Sequence, residues 1–136
     1  MTPVKTSIAL ALTATFMATS AVAKPPLRDV PEIDDALLMV AIADDLRKNC
    51  DDIDARMIKA LTHIQGLKSK ARSLGYSDEE IKAYTGSKDE QKRMRARGEE
   101  YLAERGVDRK NDAAYCTFGK QEIAKGSQIG VLLKAR

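Results

Sequence analysis

The spacing of apolar residues predicts helices along most of the chain. Between about Asp52 and Leu74, apolar side chains recur at steps of three and four residues, which places them on one face of a helix. These positions are Ile53, Met57, Ala60, Leu61, Ile64, Leu67, Ala71 and Leu74. An earlier segment, from Pro31 or Glu32 to Asn49, is apolar nearly all round its middle, so we expect it to be the most buried helix. No later proline interrupts the chain, which permits long helices.

Capping patterns predict two further helices in the middle of the chain. Ser77 and Glu80 have the spacing of a capping box, in which the serine side chain and the glutamate side chain each bind a free backbone amide. This box opens a short helix that Gly86 ends. Ser87 and Glu90 repeat the pattern, and they open a fourth helix that ends at the glycine in position 106.

The last predicted helix runs from Asn111 or Asp112 to about Leu133 and carries an unusual stripe of glycines. The stripe follows helical spacing through Cys116, Gly119, Ile123, Gly126, Gly130 and Leu133. Because a glycine has no Cβ, such a stripe allows another helix backbone to approach closely. We therefore predict a helix-packing seam. The alternative is that each glycine marks a break and that the helix stops near Gly126.

The two cysteines, Cys50 and Cys116, are expected to form a disulfide. An even number of cysteines in a small exported chain favours such a bond. The alternative, a reactive redox pair, usually has C-x-x-C spacing, which these residues lack. The bond would pin the end of the first helix to the first turns of the last. The predicted fold is therefore all-α, a compact bundle of about five helices with one disulfide.

The N-terminal residues resemble a cleavable secretory signal. Lys5 supplies a positive charge, residues 8–17 are apolar, and Ala21 and Ala23 provide small residues before a cleavage point at Lys24. The predicted organisation is a signal peptide over 1–23, an extended lead-in over 24–30 and a helical domain over 31–136. This predicts a periplasmic location. An uncleaved membrane anchor is the alternative, and the serines and threonines within the stretch argue against it.

Composition and charge narrow the function classes. The chain has 136 residues and a formal net charge of +3, too near balance for a dedicated nucleic-acid binder. The charge is uneven, since residues 24–54 carry four basic and nine acidic groups while residues 55–136 carry eighteen and eleven. Such opposition favours packing of the two parts against each other, or attraction of a polar partner. We expect no nucleic acid and no bilayer span once the signal is removed.

One basic run is a candidate contact for an anionic partner. Its four charges are Lys92, Arg93, Arg95 and Arg97. Acidic residues flank the run within a helical turn, so the alternative is a solvated helix face. We found no spacing typical of a metal site, a phosphate-binding loop or a nucleophile, and we expect no cofactor, no metal and no catalytic residue.

A set of motifs resembles a known family. The motifs are Cys50, Gly75-Tyr76-Ser77, Glu80-Ile81, Cys116 and the run from Gly126 to Gly130. Together they resemble a family of small exported alphaproteobacterial proteins that is known only as a domain of unknown function. The resemblance covers roughly residues 30–136. It implies a periplasmic location and no activity, cofactor or catalytic residue.

These observations favour a non-enzymatic module that binds or supports another exported or membrane protein. The sequence does not specify the oligomeric state. A second hypothesis is a periplasmic acid or stress chaperone, because the acidic groups of residues 24–54 would lose their charge at low pH. A third is an enzyme acting on the cell wall with Glu122 as a general acid. That role would require Glu122 to line a cleft beside another ionisable group.

Overall fold

A computed structural model describes residues 22–136 of the chain. Within that range five helices and a two-stranded sheet form around a single main core. The elements are α1 (Pro31–Lys48), β1 (Ile53–Ala55), α2 (Met57–Ser73), α3 (Asp78–Gly86), α4 (Lys88–Glu104), α5 (Asp112–Lys125) and β2 (Leu133–Ala135). The predicted all-α fold with about five helices and one disulfide is confirmed.

The first helix is the centre of the fold. Pro31 occupies its first turn, where a missing amide costs nothing, and Glu32 and Asp34 complement the positive end of the helix dipole. Six of its side chains are buried, more than in any other helix of residues 22–136: Ile33, Asp34, Leu38, Ile42, Ala43 and Leu46. It packs against α2, α4 and α5, as expected for a segment that is apolar nearly all round.

The predicted start of the second helix, at about Asp52, is wrong. Residues 53–55 form β1, which pairs antiparallel with β2 so that Ile53 faces Ala135. The Arg56 amide also donates to the Leu132 carbonyl at 2.8 Å, and α2 begins only at Met57. Ile53 is 1% exposed in the main core, and its β-branched side chain suits a strand. The strand depends on a partner that lies far away along the chain.

The end of the last predicted helix is also wrong, and the alternative of a stop near Gly126 is correct. Gly126 has a φ of +61° and caps α5 in the left-handed conformation, which glycine adopts without strain. The Ser127 amide then donates to the Glu122 carbonyl at 3.3 Å. A 3-10 turn at Gly130–Leu132 leads into β2.

The predicted glycine seam is therefore not one helical stripe. Gly119 is helical, and a Cβ there would overlap the Ile53 side chain. Gly130 lies beyond the helix, where a Cβ would overlap the backbone carbonyl of Glu122. Ile123 is half-buried against the core, and Leu133 is buried in β2. Two of the glycines thus sit at close approaches, but in different elements.

The disulfide and the lead-in each join parts of the chain that are far apart in sequence. Cys50 and Cys116 are bonded, which joins the segment after α1 to the first turns of α5. The Tyr76 hydroxyl donates to the Pro25 carbonyl at 2.5 Å, and residues 27–29 form a 3-10 turn, so the lead-in is extended only up to that turn. Almost all of the predicted signal peptide, residues 1–21, lies outside the described residues.

Removing the disulfide should destabilise the domain without changing its fold. The bond links residues 66 apart, and chain-entropy arithmetic for a loop of that length gives about 4 kcal/mol at most. We expect a Cys50→Ser, Cys116→Ser double variant to lose about 2–4 kcal/mol of unfolding free energy. Urea denaturation followed by circular dichroism, against the oxidised parent, checks this value. An unchanged midpoint would contradict the prediction.

Replacement by alanine should change the stability of the protein by different amounts at different glycines. Gly130→Ala places a methyl group against backbone, so it should cost about 1–3 kcal/mol. Gly119→Ala overlaps only the far end of the Ile53 side chain, with Leu46 at ordinary contact distance, and should cost less. Gly66 lies in α2 with open space around it, so Gly66→Ala is the matched control and should stabilise by about 0.5–1 kcal/mol. Thermal melts of the three variants rank them, and a Gly130→Ala protein as stable as Gly66→Ala contradicts this account.

Candidate functional site

A groove runs over α1 between α2 and α4. Both of these helices pack against α1, and residues of all three line one cavity. We call this feature the α1 groove. Its floor includes Leu37, Val40, Ala41 and Asp44 of α1, its α2 wall is Met57, Ala60, Leu61 and Ile64, and its α4 wall includes Gln91, Met94 and Arg95.

Two adjoining cavities lie along the groove. The first has a volume of about 420 Å³ and a mostly apolar lining from α1, α2, α3 and α4. The second, of about 360 Å³, has more polar walls and is lined by α1, α4 and Arg109, with no residue of α2. They share Ala41, Asp44, Gln91 and Met94, so one molecule could occupy both. Volumes of this size are typical of binding sites, in which an apolar surface supplies affinity and a few polar groups supply orientation.

The α2 wall is unusually apolar for an exposed helix. Met57 is 59% exposed and Leu61 is 56% exposed, and both line the first cavity. The neighbouring Ile58 is 83% exposed but lines neither cavity. Although the sequence places eight apolar residues on one face, Ala71 is the only residue of α2 that is fully buried. The helix therefore keeps apolar surface that residues 22–136 do not cover.

The basic run divides into two pairs of residues with different surroundings. Arg93 and Arg97 both bind Asp34, which is 3% exposed, and Arg97 also reaches Asp35 at 2.8 Å. Lys92 and Arg95 are exposed and form no ion pair within residues 22–136. The two arginines that face inward thus serve the fold, and only Lys92 and Arg95 remain for the anionic contact that the sequence suggested.

Asp34 is the centre of a polar cluster that joins α1 to α3 and α4. Its carboxylate accepts hydrogen bonds from the Tyr84 hydroxyl and from both arginines. Burial alone would raise the pKa of Asp34, but the hydrogen bonds from Arg93 and Tyr84 and the two guanidinium charges outweigh it and lower that pKa. Burial and the Asp34 charge raise the pKa of Tyr84, which therefore remains a donor.

The carboxylates that line the groove all have partners. Asp44 binds Arg47 and Lys48, each at 2.5 Å, and Glu99 binds Arg109 at 2.6 Å. Two further lining carboxylates, those of Asp45 and Glu90, accept from Asn49 and from two arginines. Arg95 is the one lining ion that has no partner within residues 22–136.

Neither the cysteines nor Glu122 form a chemical site in residues 22–136. Cys50, Asp52 and Cys116 lie within 4.8 Å of one another, but the disulfide consumes both thiols. Glu122 is buried, binds Lys125 at 3.2 Å and lines neither cavity of the groove. The geometry therefore gives no support to an acid catalyst at Glu122.

A family model described as a family of unknown function (DUF5333) matches residues 25–134. The chain belongs to this DUF5333 family. The predicted resemblance to a family of unknown function is thereby confirmed. No curated protein and no solved structure matches the DUF5333 chain. Among residues 22–136 there is no helix long and apolar enough to cross a bilayer.

Sequence reasoning missed the groove in this DUF5333 chain. One signal was available, because residues 56–73 carry several basic residues and no acidic one, beside an apolar face. A basic helix with an apolar face is one of the patterns from which a surface contact can be predicted.

The polar cluster should make the domain sensitive to acid. Because the pKa of Asp34 is lower in the folded protein, its stabilising effect is present above the unfolded pKa of about 3.9 and is lost as the pH falls through the folded value. Asp34→Asn should cost about 2–3 kcal/mol at pH 7. It should also flatten the loss of stability below about pH 4. Denaturation midpoints from pH 7 to pH 2 test this.

The matched control for that test is Asp35→Asn. Asp35 is exposed and binds only Arg97 among the described residues, so this variant should keep both the stability and the pH profile of the parent. Equal effects of the two variants would mean that burial of the Asp34 carboxylate is unimportant.

Proposed function

We propose that this protein is a non-enzymatic binding module, and that the α1 groove holds an apolar segment of another exported or membrane protein. The observation that carries the proposal is the exposed apolar wall of α2 beside an apolar cavity of about 420 Å³. Large apolar side chains exposed together, rather than singly, are typical of interaction sites. The groove contains no pair of groups arranged for acid–base or nucleophilic chemistry, so binding is the function it supports best.

We also propose that the protein works in the periplasm after removal of residues 1–23. The disulfide supports this, because such bonds persist in oxidising compartments and are rare in the cytosol. The signal-like N-terminal sequence and the resemblance to exported alphaproteobacterial proteins point the same way. Isolation of the oxidised chain from a periplasmic fraction, with Lys24 as its first residue, is the expected result. A chain recovered from the cytosol with both thiols free contradicts it.

A defined peptide tests the groove directly. The probe is a 14-residue amphipathic helix with leucines on one face and uncharged glutamines on the other. Titration into the oxidised protein should shift the NMR signals of Ala41, Leu61 and Met94 in a saturable way. Leu61→Glu should weaken binding at least tenfold, because a charge would enter the apolar cavity.

Ile58→Glu is the matched control, since Ile58 belongs to the same helix and is exposed but lines neither cavity. It should bind the neutral peptide as the parent does. Equal losses in the two variants, or no saturable binding to the parent, would rule out the groove as the site.

A second experiment addresses the natural partner. A photo-reactive residue is placed at position 61 or at position 58 of the protein in its host. An adduct with an exported or membrane protein should form from position 61 and be weaker from position 58, and its cross-linked segment should map to an apolar helix. Equal adducts from both positions contradict docking in the groove.

An acid chaperone is the second candidate, and the nine acidic groups of residues 24–54 favour it. As the pH falls towards 3, these carboxylates would begin to lose their charge and leave the chain more positive, whereas the lowered pKa of Asp34 would hold its cluster together to lower pH. Suppression of a client's aggregation at about pH 3 and not at pH 7 is the expected behaviour. Protection that is absent at both values eliminates this candidate.

A further inference from the structure

We infer that Met57 is a site of oxidation by peroxide, and that conversion of its thioether to a sulfoxide weakens the binding of an apolar segment in the α1 groove. The effect on binding rests on the proposed function, but the site of oxidation does not. Enzymes that reduce methionine sulfoxide reverse this modification. Oxidation would therefore act on the groove as a reversible switch.

The methionines of residues 22–136 differ in exposure and in position. Met57 is the first residue of α2, is 59% exposed and lines the first cavity. Met94 of α4 is half-buried and lines both cavities. Met39 of α1 is half-buried against the main core and lines neither cavity. Two of these three methionines thus belong to the groove, and the most exposed of the three is one of them.

No thiol competes with Met57 for the oxidant. The chain has two cysteines, and both are in the disulfide. Oxidation of sulfur in proteins follows the exposure of the group as well as its reactivity. Since Met57 is the most exposed thioether in residues 22–136, we expect it to be the first residue of that range to be oxidised.

The reaction with hydrogen peroxide needs no other reactant. The thioether sulfur attacks one peroxide oxygen, the O–O bond breaks, and that oxygen becomes the sulfoxide oxygen. The other oxygen leaves as water with both hydrogen atoms. Sulfur loses two electrons, and these electrons reduce the peroxide. The product carries a polar group where the side chain was flexible and apolar.

A sulfoxide at position 57 would oppose the binding of an apolar segment. The other residues of α2 that line the first cavity are Ala60, Leu61 and Ile64, and none of their side chains donates a hydrogen bond. An apolar segment on this wall would cover the sulfoxide oxygen without supplying a donor. Burial of an unpaired polar group is unfavourable, so we expect the affinity to fall about tenfold.

The exposure of Met57 separates an effect on binding from an effect on the fold. Because most of its side chain lies outside the core, its oxidation should leave the melting temperature nearly unchanged. A sulfoxide at Met94 would also destabilise the domain, since Met94 packs against the main core. A large drop in melting temperature when Met57 alone is oxidised would contradict the inference.

Peptide mapping tests the site of oxidation. The disulfide-bonded full chain is treated with dilute hydrogen peroxide, and mass spectrometry follows the gain of one oxygen atom at each methionine. Oxidation of Met57 should be at least about fivefold faster than oxidation of Met39, which is the matched control because it is half-buried. Equal rates at the two positions would overturn the assignment.

The uncharged leucine-faced peptide tests the effect on binding. Its Kd for the parent should rise about tenfold after peroxide treatment and recover after treatment with a methionine sulfoxide reductase. Met57→Leu keeps an apolar side chain of similar volume and has no thioether. This variant should bind as the parent does and keep its affinity after peroxide. Met39→Leu is the control and should lose affinity as the parent does.

The outcomes separate this inference from the proposed function. If Met57 is oxidised and the Kd does not change, the switch is wrong, although the groove still binds the peptide. If treated Met57→Leu loses as much affinity as the treated parent, another residue causes the loss and the inference is overturned. If the untreated parent does not bind the peptide, the proposed function fails and the switch fails with it, whereas the oxidation rates of Met57 and Met39 still decide the site.

Discussion

The apolar body of α1 is held at both ends, and the other helices are arranged around it. At one end Asp34 binds Tyr84, Arg93 and Arg97, and so draws α3 and α4 onto the helix. At the other end the disulfide from Cys50 ties the following segment to α5. Between these ends Leu38, Ile42 and Leu46 are almost completely buried. Burial of apolar side chains such as these is the main favourable term in folding, at about 1.5–3 kcal/mol for each fully buried Leu or Ile.

The groove is a consequence of how α1 is covered. On the α4 side, Gly98 is buried against α1, and a Cβ there would lie 3.6 Å from the Ile42 side chain, an ordinary packing distance. Neither α2 nor α4 extends over Val40 and Ala41, which remain only half-buried. The middle of α1 is apolar nearly all round, and residues 22–136 leave this part of it incompletely covered.

Local signals in the sequence predicted local structure correctly. The serine at position 77 accepts from the Glu80 amide at 3.1 Å, and the Glu80 carboxylate accepts from the Ser77 amide at 2.7 Å, as the capping box requires. Features that depend on distant residues were not predictable in this way. The residues near Ile53 contain no signal for a strand that pairs with Ala135. Likewise, the residues near Arg93 do not indicate that it binds Asp34, which lies 59 residues away.

The candidate site shows the same division between local and distant signals. The basic run was identified from its composition. Only the position of Asp34 in the structure shows that Arg93 and Arg97 face inward and bind it, while Lys92 and Arg95 do not. The apolar face of α2 was identified as well, but helical spacing does not say whether another helix covers it. The groove therefore follows from the packing of three helices, and no one of them specifies it.

The pairing of β1 with β2 limits the order in which parts of the chain can fold. Contacts across 82 positions close the sheet where Arg136 meets Asp54, and Leu133 completes the core only when this ribbon forms. A chain whose last residues are not yet available cannot make these contacts, so its core stays incomplete until residue 135 has been added. Pairing across so long a stretch of chain is slow compared with the formation of helices, which places this ribbon among the later steps of folding.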